Sequence, residues 1–227
     1  LLSEAGFKAY RKFLKKPEPG DILIVGNGAS VFFYVTGHDK DTVQRLVVFL
    51  QKCKYSGVIF SGENLQGTFS LKTAHLASPE APDIVLALRW SDTANASGVK
   101  GAVFMDASAA STRTAGQGMH GSLSPYDMHN TLIAAGPDFR KEFIDTLPSG
   151  NTDVAPTILH ILNIASPQKM DGRVLEESLI TPSKSPPVNE KKLEAKSKET
   201  GWHQYLKTSS IGTTTYFDAG NGNQTPP

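Results

Sequence analysis

The sequence predicts an α/β layered domain, and three features carry that expectation. Asp83-Ile84-Val85-Leu86-Ala87-Leu88 is a near-continuous apolar run, the pattern of a strand buried on both faces. Two amphipathic segments, 39–52 and 151–162, alternate with short β-branched runs instead of grouping apart from them. Near the start, Asp21–Gly26 and Val31–Val35 flank Asn27-Gly28, which reads as a hairpin with its turn.

The elements follow in order along the chain. Phe7, Tyr10, Phe13 and Leu14 among Lys and Arg predict a short amphipathic helix over 4–16, broken by Pro17-Glu18-Pro19-Gly20. The hairpin comes next, then a helix over 39–52 with Val43, Leu46, Val47 and Leu50 on one face and Asp39 or Asp41 at its N-terminus. Val58–Phe60 and Phe69–Leu71 are short strands around a Gly-rich loop. Residues 91–118 read as a long loop with one strand at Ala102–Phe104, and a loop of that length is usually functional or mobile. Thr131–Ala135 predicts another strand. Asp153 is expected to cap a helix running to Leu162, with Val154, Ile158, Leu159 and Leu162 facing inward and Pro156 in its first turn. The first 180 residues would form the α/β domain, and the Pro-, Ser-, Lys- and Glu-rich stretch 181–200 a surface linker. A small β-like tail follows over 201–227, with 219–227 disordered.

Bulk properties exclude several functions. The chain has 227 residues, 23 Lys and Arg against 22 Asp and Glu, and a net charge of +1. That balance gives no electrostatic reason for nucleic acid or an anionic membrane as partner. No run approaches the roughly 20 apolar residues of a membrane span. Cys53 is the single cysteine, which rules out an intrachain disulfide and a Cys-rich metal centre. Leu1–Phe7 lacks the pattern of a signal peptide and begins mid-pattern, like a piece of something longer.

The segment with chemical content is Gly118-Met119-His120-Gly121-Ser122-Leu123-Ser124-Pro125-Tyr126-Asp127-Met128-His129-Asn130. A histidine between glycines lets neighbours approach closely, and neutral imidazole is a common ligand for zinc and similar ions. An ordinary hydrogen-bonding role for the same loop histidine stands beside that reading. Asp127 and His129 lie near His120 and are candidates for supporting it, and Arg113 is a candidate phosphate contact. His38, His75, His160 and His203 have no ligand-like partners in the sequence. Gly26-Asn27-Gly28 lacks the third glycine and the following helix of a dinucleotide loop.

Three blocks in order carry a resemblance. They are Gly118-Met119-His120-Gly121; Asn130–Phe139, containing Leu132-Ile133-Ala134-Ala135-Gly136-Pro137-Asp138-Phe139; and Asn151–Leu159, followed by Asp171-Gly172-Arg173-Val174-Leu175. Together they resemble the last third of the type I phosphodiesterase/nucleotide pyrophosphatase family of the alkaline phosphatase superfamily. The resemblance implies a mixed, largely parallel sheet flanked by helices, incomplete in this chain. It also implies two divalent metals, zinc or manganese, a Thr or Ser nucleophile, and a phosphate ester or nucleotide as substrate. Of the six metal ligands of the family, one maps here, onto His120. The nucleophile and the other ligands would stand before Gly118, where this sequence has no Asp-His pair and no Asp four residues ahead of a His. The resemblance therefore implies a hydrolase fragment inactive by itself, from a protein that family habit would make periplasmic or secreted. The alternative is a non-catalytic α/β binding or assembly module that keeps the scaffold.

Overall fold

A computed structural model describes residues 1–104, 120–166, 168–182 and 186–224. The chain divides into two compact units. Unit 1 comprises Leu1–His129, Leu193–Leu206 and Ala219–Pro227, and unit 2 comprises Asn130–Lys192 and Lys207–Asp218.

The strands and helices run as β1 (Ala9–Tyr10), β2 (Ile22–Asn27), β3 (Ser30–Val35), α1 (Lys40–Gln51), β4 (Ser56–Ser61), β5 (Phe69–Ser70), β6 (Ile84–Leu88), β7 (Trp90–Ser91), β8 (Ala102–Val103), α2 (Pro125–Met128), α3 (Val154–Ile161), β9 (Asn189–Ser197), β10 (Trp202–Ile211) and β11 (Thr214–Gln224). A six-stranded mixed sheet has the order β1-β2-β3-β6-β4-β5, and smaller sheets have the orders β11-β10-β9 and β7-β8. The fold is mixed α/β.

In unit 1 the expected hairpin forms with register Ile22↔Val35 to Asn27↔Ser30. Beside it β6 pairs antiparallel with both β3 and β4, which buries the whole of the predicted apolar run. Only the two-residue strands β1 and β5 pair in parallel. The largely parallel sheet implied by the resemblance is thus corrected: the long neighbours are antiparallel, because a tight turn joins β2 to β3 and β6 inserts antiparallel between β3 and β4, the two strands that α1 connects. α1 packs here, burying Val43, Leu46, Val47 and Leu50 as its periodicity predicts. Asp39 caps it, accepting from the Thr42 backbone N–H at 2.8 Å.

Four other local expectations are overturned. No helix forms over 4–16: Phe7 is drawn into the core, edge-to-face with Phe49, and Lys8 O accepts the Ile22 N–H, so tertiary pairing overrides helix propensity. Thr131–Ala135 is not a strand; Leu132 and Ile133 are exposed, and no strand among the described residues lies beside them to satisfy a ladder. The expected linker contains β9, whose Leu193, Ala195 and Ser197 alternate inward while Lys and Glu face water, as edge strands often do. The expected disordered end is mostly β11, where Gly222 lets the chain pass against Gly57 O and the Trp202 ring, sites a Cβ would meet at 2.2 and 2.5 Å.

In unit 2, α3 follows a 3-10 turn over Asn151–Asp153. The predicted inward face is corrected: Val154, Ile158 and Leu162 are exposed, and Thr157 is the buried position, its hydroxyl accepting the Leu175 N–H at 3.0 Å. Polar anchoring to the 171–175 segment, not apolar packing, sets this helix's rotation.

Candidate functional site

The His120 loop is held by its backbone. Ala29 N–H donates to His120 O at 2.7 Å, fixing the loop on the β2–β3 turn. Gly28, at φ +64°, is the turn residue, and a Cβ there would stand 2.3 Å from His120 O and 2.9 Å from its ring. Gly121, at φ +80°, brings its own Cα against Asn27 O on the other side of the contact. The glycine-rich segment read as a weak dinucleotide motif is therefore a turn that seats His120. Gly28→Ala is expected to cost about 1–3 kcal/mol through the strained φ and the clash, whereas Gly26→Ala, with open space around its Cβ position, should change little; thermal unfolding of both variants checks this.

Downstream the chain fixes itself with short side chains. The buried Ser122 hydroxyl donates to the Asp127 carboxylate and accepts from the Ser124 N–H at 3.1 Å. Ser124 Oγ in turn caps α2, accepting from Tyr126 N–H. The Tyr126 hydroxyl donates to Asp92 Oδ1 at 3.0 Å, which with some burial holds its pKa above the ordinary value. His129 ends α2 through its backbone N–H to Pro125 O. The imidazole of His120 is exposed. Asp127 is engaged in bracing the loop. Arg113 lies outside the described residues. Among the described residues no group of three or more His, Cys, Asp or Glu could hold a metal ion.

The later blocks meet in unit 2 as a buried polar network. Asp153, fully buried, does not cap α3 with its own side chain as the sequence suggested. Its Oδ2 accepts the Gly150 N–H at 2.8 Å and the Tyr216 hydroxyl at 2.9 Å, and its Oδ1 accepts the Arg173 N–H at 2.8 Å. The Arg173 guanidinium grips Glu177 with two bonds of 2.9 and 2.6 Å and reaches Pro148 O and the Tyr216 oxygen. Burial alone would draw the Arg173 pKa down and push that of Glu177 up. Their mutual bonds outweigh it, so Arg173 is held above and Glu177 below its ordinary value. Burial and then the bond to Asp153 push the Tyr216 pKa up to about 12. Gly172 lies against Thr152 O, where a Cβ would stand at 2.0 Å. All these groups are saturated by one another, which is the signature of a structural network.

A pairing that the sequence did not reveal lies at the end of the six-stranded sheet. His38 Nδ1 is 2.8 Å from Asp83 Oδ1; opposite a carboxylate it carries the proton, which leaves Nε2 outward. Asp83 Oδ2 accepts the Val35 N–H at 2.7 Å. His38 is a non-glycine residue at φ +50°, a conformation that costs about 1–2 kcal/mol. Its side chain is 72% exposed, so the pair returns about 0–1 kcal/mol. Stability does not explain the arrangement. The partners are 45 residues apart, beyond any local motif, and only the topology brings them together.

No family model, curated protein or solved structure matches this chain.

Proposed function

We propose that this chain is the C-terminal part of a metal-dependent hydrolase of phosphodiester or nucleotide pyrophosphate bonds with an alkaline-phosphatase-like fold, and that His120 is its one metal ligand. The nucleophile and the remaining ligands would be supplied from N-terminal to this sequence. The observation that carries the reading is the ordered set of blocks at 118–121, 130–139, 151–159 and 171–175. Two features of the molecule support it. The loop around His120 is seated by Gly28 and Gly121, and the residue remains exposed. The 151–159 and 171–175 blocks bond to each other through Asp153 and Arg173, so they form one unit.

The test is bis-p-nitrophenyl phosphate hydrolysis, with zinc or manganese supplied, by the whole gene product containing this chain. His120→Ala is expected to reduce it at least about 100-fold, as loss of a ligand should exceed the 10–100-fold effect typical of groups behind the ligands. The chain alone should show no turnover. Undiminished activity of the His120→Ala protein would sink the assignment of that residue. Turnover by the isolated chain would sink the fragment reading, and an inert whole gene product would favour the non-catalytic module.

A further inference from the structure

The His38–Asp83 pair borders a cleft of about 390 Å³ at the end of the six-stranded sheet in unit 1, a size typical of small-ligand clefts. Four separate pieces of chain converge on it: the turn after β3 with His38, the end of β4 with Gly62, β5 and the following 3-10 turn with Ser70 and Lys72, and the segment before β6 with Ser78 and Asp83. We propose that this cleft binds a small oxyanion, a phosphate or carboxylate group.

The chemistry of the lining argues for that class. Lys72 is its cationic side chain, and the His38 imidazole stands in the same lining. Asp83 is its one acid, and both carboxylate oxygens are taken, Oδ1 by His38 and Oδ2 by the Val35 N–H. It therefore has no free oxygen to offer a cation, and it orients the imidazole through Nδ1. Ser70 Oγ accepts the Lys72 backbone N–H at 3.2 Å, which leaves its hydroxyl proton to donate. Ser78 adds a second hydroxyl to the lining. Hydroxyl donors around the Lys72 ammonium, with the one acid already engaged, suit an oxyanion.

The proposal stands apart from the His120 reading, since it uses none of those residues, and its failure leaves that reading untouched. The experiment is a titration of this chain with inorganic phosphate and, separately, with acetate, against chloride at matched ionic strength. The readout is the His38 ring resonance, assigned by its loss in His38→Gln. The expected result is a saturable shift, with a dissociation constant at least about tenfold weaker in Lys72→Ala, as loss of a charged hydrogen-bond partner predicts. Lys72 is exposed, so that variant keeps the fold. Saturation with phosphate alone assigns a phosphoryl group, with acetate alone a carboxylate, and with both a general oxyanion site. No saturation with either, or saturation unchanged in Lys72→Ala, overturns the proposal.

Discussion

Arg173→Ala is expected to destabilise the protein by about 3–5 kcal/mol, the range for breaking a buried pair by removing one partner. Its side chain is 12% exposed and that of Glu177 is 5% exposed, so alanine strands a carboxylate that water does not reach. Pro148 O and the Tyr216 oxygen lose a donor in the same step. Arg173→Lys keeps one charge but not the two-pronged grip, and should recover less than half of the loss. Urea unfolding followed by circular dichroism measures both. The pH dependence provides a second check. Glu177 sits below its ordinary value of 4.5 in the folded protein, so its contribution is complete above about pH 4.5 and is lost as the pH falls through the lower folded value. In Arg173→Ala that acid sensitivity should vanish. An Arg173→Ala protein as stable as the parent would mean that the network is not closed in solution.

Gln204→Leu should cost unit 1 about 3–5 kcal/mol. Gln204 is fully buried and its amide acts as a missing strand neighbour. Oε1 accepts the Ile59 N–H at 2.8 Å and the Trp202 indole N–H at 3.2 Å, and Nε2 donates to Ile59 O at 3.0 Å. β5 pairs only with Phe60 and Ser61, so leucine leaves three buried polar groups without partners, each worth about 1–3 kcal/mol and less than additive. Gln204→Glu separates hydrogen bonding from packing. A carboxylate keeps the acceptor but sets a second oxygen against Ile59 O. Protonation restores the donor, so this variant should gain stability as the pH falls, opposite to the parent. Equal stability of Gln204→Leu and the parent in urea would refute the role.

Elements with a local pattern of their own were legible: the β2–β3 hairpin by its turn, α1 by its buried face, and β6 by the unbroken apolar run of a strand buried on both sides. The misreadings share one cause, which is that composition was read where long-range contact decides. Lys191, Lys192, Glu194 and Lys196 looked like a solvated linker, yet Leu193, Ala195 and Ser197 alternate between them and mark a strand edge. Gly220 and Gly222 looked disordered, but they let β11 approach Leu206, Gly57 and Trp202. Thr131–Ala135 has the composition of a strand and no neighbour among the described residues to make it one. At the site, the sequence singled out His120 with Gly121, and the seating of that loop on the β2–β3 turn gives Gly121 a physical reason. It offered no hint of His38 with Asp83 or of Tyr216 with Asp153, because neither pair has a local spacing.

The stitching of β4 by Gln204 also has a consequence in time. Ile59 and Gln204 are 145 residues apart, and Trp90 is 130 residues from Gly220, whose carbonyl accepts its indole N–H. At typical synthesis rates of about 5–20 residues per second, β4 waits on the order of ten seconds after it is made before its side-chain neighbour exists. During that interval the nascent chain carries an apolar sheet with an uncapped edge, a state in which chaperone occupancy decides between completion and aggregation. Completion of β4 is therefore expected to await β10 and β11, and a chain truncated before β10 should aggregate more readily than the full chain, which light scattering would measure.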